Sequence, residues 1–238
     1  MLEMEASRGA AAMRGAVLRA VLVAAFGMAA VVAFFWANWA VARAWPGGEA
    51  LRFPWEATRA FLFRGENPYH HLTLLYAWAA RDGVQMPPQT YPLHAALIFF
   101  LPLALLRDFT LTRAVAMTGA GVALVGATVY LGRAWRWRMG WPLGMAVGAF
   151  VVLNYFSVAA WLRGDVALLL AALVLGMAGA LLQHRDDLVG LLLALLWIKP
   201  SVALPVTLFV LLWAASRRRW RVWRAFWGLT VALAALAT

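Results

Sequence analysis

Apolar residues in this chain come in long runs separated by short breaks rich in arginine, glycine or proline, with one extended polar interruption. The runs are Ala16–Trp39, Leu111–Gly132, Trp141–Leu162, Val166–Leu182, Asp187–Ile198, Ser201–Ala215 and Val222 to the C-terminus. About 20 residues of helix cover the hydrocarbon core of a bilayer, so the pattern predicts an all-α, polytopic transmembrane bundle of about seven spans. The fifth and sixth runs are short and meet at Lys199-Pro200. A proline-broken pair of that kind is tolerated at membrane depth where its backbone is buried in protein or lines a wet cavity.

The interruption runs from Trp45 to Tyr91 and predicts two short helices. In the first, Pro54 occupies the first turn and Gly65 follows an end near Arg64. In the second, Asn67 caps, Pro68 starts and Asp82-Gly83 stops, with Leu72, Leu75, Tyr76 and Ala79 on one apolar face. Helices of this kind suit a membrane surface. Leu93–Leu106 has 14 residues and an internal proline, short for a span and in keeping with an interfacial or re-entrant segment.

Charge then orients the chain. With Leu93–Leu106 held at the outer surface, Arg133, Arg136, Arg138, Arg185 and the block from Arg217 to Arg224 all fall on the cytoplasmic side, as the positive-inside rule requires. The N-terminus is then cytoplasmic, residues 45–110 form an outer loop, and Trp36, Trp39 and Trp45 make an aromatic belt at the outer interface. The whole of 1–238 reads as a single membrane domain. It stops at Thr238 in apolar sequence without a polar flank, the pattern of a piece of something longer.

Composition agrees. At 65% hydrophobic and 13% charged residues, the chain is too apolar for a soluble domain of its size. A net charge of +11 could point to nucleic acid, but the arginines sit beside apolar runs, so the expected partner is the bilayer. Absence of cysteine excludes thiol catalysis, disulfides and thiolate metal sites. Arg8, Arg14 and Arg19, with Ala40-Val41-Ala42 downstream, imitate a secretory signal, but the apolar run is long for one and further spans follow.

Three outer-facing points carry candidate chemistry: the long loop, the turn Arg163-Gly164-Asp165, and Lys199-Pro200. Lys199 is the only lysine, and an ionisable group near membrane depth reads either as functional or as a side chain snorkelling to the interface. Asp165 and Arg163 are site residues or a helix-capping ion pair. Glu49, in a Gly-Gly-Glu turn, is a catalytic candidate or a solvated loop acid; Glu56 is a second candidate or a helical partner of Arg59. Asn67 either meets a substrate or only caps. His70 and His71 are adjacent and point apart, so no metal site is expected.

Gly48-Glu49, Trp55-Glu56-Ala57-Thr58-Arg59-Ala60-Phe61, Gly65-Glu66-Asn67-Pro68-Tyr69, Tyr91-Pro92-Leu93 and Pro102-Leu103-Ala104-Leu105-Leu106 follow one another in that order. Gly164-Asp165, Trp197-Ile198-Lys199-Pro200 and Arg217-Arg218-Arg219-Trp220 continue the series. This succession resembles the multi-spanning glycosyltransferases of the GT-C superfamily, and among them glycosyltransferase family 87, the polyprenyl-phosphate-mannose-dependent type. Where that family typically has Asp-Phe after its first span this chain has Glu49-Ala50, and where it often has Gly-Gln this chain has Gly164-Asp165.

The resemblance implies an inverting transfer of mannose, or another hexose or pentose, from a polyprenyl-phosphate carrier to a hydroxyl of a glycolipid, glycan or protein acceptor. It places the reaction at the outer face of a bacterial cytoplasmic membrane; no cofactor is expected, and the residues give no sign of a divalent metal. Glu49 is implied as the base, with Glu56 behind it; Lys199, then Arg163 and Arg59, as cations for the donor phosphate; and Asn67, Tyr69, Tyr91 and Asp165 as substrate-binding groups. A non-catalytic membrane subunit and a lipid or sugar transporter are the alternatives.

Overall fold

The computed structural model describes residues 2–66, 96–137 and 140–236 of the chain. These are all-helical. α1 spans Leu2–Ala44, α2 Glu49–Arg64 and α3 Leu101–Ala104, the last entered through a π-turn at Ala96–Phe100. α4 (Phe109–Ala134), α5 (Trp141–Leu153), α6 (Tyr155–Arg163) and α7 (Ala167–Leu182) follow. The chain continues as α8 (Asp186–Leu195) with a 3₁₀ turn at Leu196–Ile198, α9 (Pro200–Ser216) and α10 (Trp220–Leu236). The helix expected to start at Asn67 lies outside the described residues.

Two of these helices are long and apolar enough to cross a membrane, Gly15–Ala44 within α1 and Phe109–Ala134, and the bent pair α5–α6 adds a third if it acts as one span. α7 and α9 are apolar but shorter. Three local expectations are corrected. α1 is longer than Ala16–Trp39 at both ends, since its arginine- and alanine-bearing flanks are themselves good helix formers. Pro54 sits inside α2 rather than in its first turn, because the helix already begins at Glu49. The run Trp141–Leu162 is not one helix but two, bent by 50°.

Asn154 makes that bend. Its backbone is extended (φ −65°, ψ 155°), its Nδ2 donates to the carbonyls of Phe150 and Val151, and its Oδ1 accepts the Ser157 N–H. One side chain thus serves the end of α5 and the start of α6, satisfying groups that a helix terminus leaves without partners.

α4 packs along both α1 and α7, and α8 packs against α7 and α10. Small residues set the close approaches. A Cβ on Gly121 would sit 2.7 Å from the Phe34 ring, and one on Gly190 would run into the Val222 carbonyl, so α8 and α10 touch backbone to backbone. Between α1 and α4, buried Asn38 donates to Thr118 at 2.9 Å. A core cluster of Leu51, Phe100, Val166, Leu170, Leu196 and Ile198 joins α2, the π-turn, α7 and the 3₁₀ turn.

The two ends of α4 differ in kind. At one lie the α1–α2 turn, the α6–α7 turn and, beyond Asp165, Lys199. At the other, roughly 39 Å away at 1.5 Å per residue, Tyr130 donates to Gln183, and the neighbouring turn carries His184 and the Asp186–Arg219 ion pair.

Candidate active site

The site is built on the turn after α1. Gly47 (φ 144°) and Gly48 (φ 86°) adopt backbone angles that L side chains rarely reach, and the space beside them is already taken. A Cβ on Gly47 would lie 2.9 Å from both Arg113 Nη2 and the Leu162 carbonyl. The Gly48 N–H donates to that same carbonyl at 3.1 Å. Glu49 follows as the first residue of α2, where the helix dipole favours a carboxylate.

Arg113 is the pivot. It sits near the start of α4 at 2% exposure, with Nη1 donating to the Trp45 carbonyl at 2.7 Å and Nη2 to the Leu162 carbonyl at 2.9 Å. Its Nε is buried and has no acceptor. Glu49 is the charge that acts on it electrostatically. Glu49, Arg43, Arg52, Phe109 and Arg113 line a cavity of about 510 Å³ with mixed polar and apolar walls.

The α6–α7 turn abuts this one. Gly164 closes α6 at φ 69°, and a Cβ there would lie 2.8 Å from Leu51 Cβ and 3.5 Å from Gly48 Cα. Asp165 follows: its Oδ1 accepts the Ala167 N–H at 3.0 Å, capping α7, and lies 3.6 Å from Lys199 Nζ. Lys199 (φ −127°, ψ 89°) is the non-helical joint between the 3₁₀ turn and α9. The Gly48-Glu49, Gly164-Asp165 and Lys199-Pro200 pieces, far apart in sequence, thus form one chain of contacts. Asp165 partners Lys199, not Arg163, which is exposed in the last turn of α6.

Glu56 and Arg59 do not pair with each other. Glu56 accepts from Arg52 Nε at 3.0 Å, one helical turn back. Arg59 Nη1 donates to the carbonyls of Ala104 and Leu106, each at 2.8 Å, and its guanidinium lies 5.1 Å from the Trp55 and Phe63 ring centres. The Trp55 indole N–H donates to the Leu103 carbonyl at 3.0 Å. These bonds go to backbone carbonyls at and just beyond the end of α3, a partner that side-chain spacing along α2 cannot reveal. Asn67, Tyr69 and Tyr91 lie outside the described residues.

A second, apolar cavity of about 250 Å³ opens among Leu51, Phe100, Leu103, Ala116, Trp161 and Asp165. The Trp161 indole N–H beside it has no acceptor. Among the described residues no three His, Asp or Glu side chains cluster as a metal site would need.

Arg113 was not among the candidates read from sequence. Its signal was available: it is the only charged residue between Phe109 and Gly132, in a helix otherwise fit to cross a membrane. A lone charge within an apolar run calls for a partner, and that partner is made by the turns of two other segments.

No curated protein and no solved structure matches this chain. Residues 90–238 match the model of glycosyltransferase family 87, a range that holds Arg113, Gly164-Asp165 and Lys199-Pro200 and begins after Glu49, Glu56 and Arg59. With more than half of its length matched, and its apolar helices in keeping with a membrane protein, the chain belongs to glycosyltransferase family 87.

Proposed function

We propose that this chain transfers a sugar, mannose or another hexose or pentose, from a polyprenyl-phosphate carrier to an acceptor hydroxyl, with Glu49 as the general base. The observation that carries the reading is the placement of Glu49. It opens α2 on a glycine pair that admits no side chain, beside buried Arg113, and lines a cavity large enough for a sugar ring. The proposed topology has about seven spans with this end of α4 at the outer face of a bacterial cytoplasmic membrane. Support comes from the arginines gathered at the opposite end, Arg133, Arg136 and Arg217 to Arg221.

The chemistry is a single displacement. The acceptor oxygen attacks the anomeric carbon as Glu49 takes its proton, and the bond from that carbon to the phosphate oxygen breaks on the opposite face. The configuration inverts and the electron pair leaves on the polyprenyl phosphate. A positioned base is typically worth about 10²–10⁴-fold. Growing charge on the leaving phosphate is stabilised by fixed cations, best in a site shielded from water. Two sets of cations border this region: Lys199 at the joint before α9 and Arg163 at the end of α6, and the arginines of the larger cavity.

The test is transfer from labelled polyprenyl-phosphate-mannose to a lipid acceptor extract, in membranes holding this chain or its Glu49→Gln variant at equal expression. Transfer that disappears in Glu49→Gln supports the reading. Transfer that persists unchanged in the variant removes Glu49 as the base.

A further inference from the structure

We infer that the basic end of the bundle, opposite the candidate site, is a binding surface for anionic phospholipid headgroups, formed by the turns that follow α4, α7 and α9. The inference concerns residues that the sugar transfer does not use, and it needs only that the chain lies in a bilayer. The three turns share one end of the fold. Tyr130 donates to Gln183, which ties α4 to the α7–α8 turn, and the Asp186–Arg219 ion pair ties that turn to the one between α9 and α10.

The backbone marks these turns. α4, α7 and α9 end in the same hydrogen-bond pattern: the Trp137 N–H reaches back to the Gly132 carbonyl, Arg185 to Ala180 and Arg219 to Ala214, with a shorter bond from the preceding residue inside each. That pattern holds its next-to-last residue in the left-handed region, where glycine is the usual occupant. Here the occupants are Arg136 at φ 53°, His184 at φ 56° and Arg218 at φ 54°. Among the described residues these are the positive-φ positions that are not glycine. Gly47, Gly48, Gly65 and Gly164 take such angles in the turns on either side of α2 and after α6.

Attraction to the helix dipole does not account for the choice. A cation in the last turn already gains that attraction, and α4 has Arg133 there. α6 ends in the same pattern with Arg163 in its last turn, yet it closes on Gly164. An L residue held at such an angle strains the backbone where glycine does not. A basic residue accepted in that position at all three turns of one end is accounted for by an anionic partner lying outside them.

The side chains supply the charge. Arg133, Arg136, Arg185, Arg217, Arg218 and Arg221 are exposed, and none of them is in an ion pair among the described residues. Arg219 is engaged, with Asp186, with the Trp213 ring at 5.0 Å and with His184 Nδ1 at 3.5 Å. Asp187 is the remaining carboxylate of these turns, so the excess of positive charge is large. Exposed tryptophans alternate with the cations: Trp135 and Trp137 stack with ring centres 6.1 Å apart on either side of Arg136, and Trp220 precedes Arg221. The adjoining surface is apolar, with Leu212 and Phe209 of α9 exposed within about two turns of Arg217. Guanidinium and indole donors beside an exposed apolar flank match a phosphate headgroup whose acyl chains lie along the helix. Nucleic acid would meet the cations and leave that flank bare.

Binding is measured by native mass spectrometry on the full chain purified in a neutral maltoside detergent. The probes are phosphatidylglycerol, phosphatidylcholine of the same acyl chains and a single-stranded DNA oligomer. Phosphatidylglycerol should bind about tenfold or more tightly than phosphatidylcholine. Arg136→Gly combined with Arg218→Gly should weaken phosphatidylglycerol by about tenfold or more and leave phosphatidylcholine unchanged. Because glycine suits both backbone angles, this double variant should melt no lower than the parent, which separates loss of charge from loss of fold. Arg136→Lys combined with Arg218→Lys should keep most of the preference. Equal binding of the two lipids would overturn the inference, and so would a double glycine variant that prefers phosphatidylglycerol as strongly as the parent. DNA bound as tightly as phosphatidylglycerol, and lost in the same variant, would overturn it in favour of nucleic acid. None of these measurements involves Glu49 or a sugar donor, so they stand whether or not the chain transfers sugar.

Discussion

Gly164 and Gly48, more than a hundred residues apart, meet so closely that a single added methyl on Gly164 would lie 3.5 Å from the other's Cα and 2.8 Å from Leu51 Cβ. Gly164 is also held at φ 69°. Gly164→Ala therefore combines backbone strain with a clash, and should destabilise the chain by about 1–3 kcal/mol. Gly65 has the similar φ of 64°, and among the described residues a Cβ there meets nothing within 4 Å, so Gly65→Ala should cost only the strain, about 1 kcal/mol. Thermal melting of both variants in the same detergent checks the order.

The two candidate carboxylates should separate sharply. Glu49 lines the larger cavity, whereas Glu56 is paired with Arg52 along the helix. Glu49→Gln should lower sugar transfer by about 10²–10⁴-fold. Glu56→Gln should change it only a few-fold, through the freedom it gives Arg52. Initial rates at saturating donor decide the point, and equal losses would contradict it.

Asn38 and Thr118 hold α1 to α4 by a buried hydrogen bond, with the Thr118 hydroxyl in turn donating to the Ala114 carbonyl. Bonds of this class between membrane helices are modest. A double-mutant cycle with Asn38→Ala and Thr118→Ala, read by unfolding in mixed micelles, should give a coupling of about 0.6 kcal/mol and no more than about 2.

Gly190 and Gly228 make a matched pair for testing close packing. A Cβ on Gly190 would lie 2.7 Å from Ala225 Cβ and 2.8 Å from the Phe226 nitrogen, while one on Gly228 meets nothing within 4 Å among the described residues. Gly190→Ala should push α8 from α10 and cost about 1–3 kcal/mol. Gly228→Ala should be neutral or slightly stabilising, since alanine is the better helix former. Melting temperatures that fall together would refute the contact.

Helix positions were legible for several runs that ended on charge, glycine or proline, though not for the first, whose helix runs past Gly15 to Leu2. The runs Leu111–Gly132, Val166–Leu182 and Ser201–Ala215 correspond to α4, α7 and α9 within two residues at each end. The break at Asn154 was not legible, because hydropathy counts one asparagine as a small dip. What bends the chain is the side chain's ability to serve two helix ends at once. Within the site, Lys199 and Asp165 could be placed near one another from topology alone. Arg113 and Arg59 could not be understood that way, because each bonds carbonyls at least 45 residues distant, and carbonyls have no signature in sequence.

Arg59 and Trp55 grip the carbonyls of Leu103, Ala104 and Leu106 from α2, so the chain on either side of residues 67–95 is fastened by bonds that do not pass through that stretch. A protease cut anywhere within it would sever the polypeptide without releasing either fragment. The two pieces should co-purify, and a split gene divided there should reassemble its product from separately made halves.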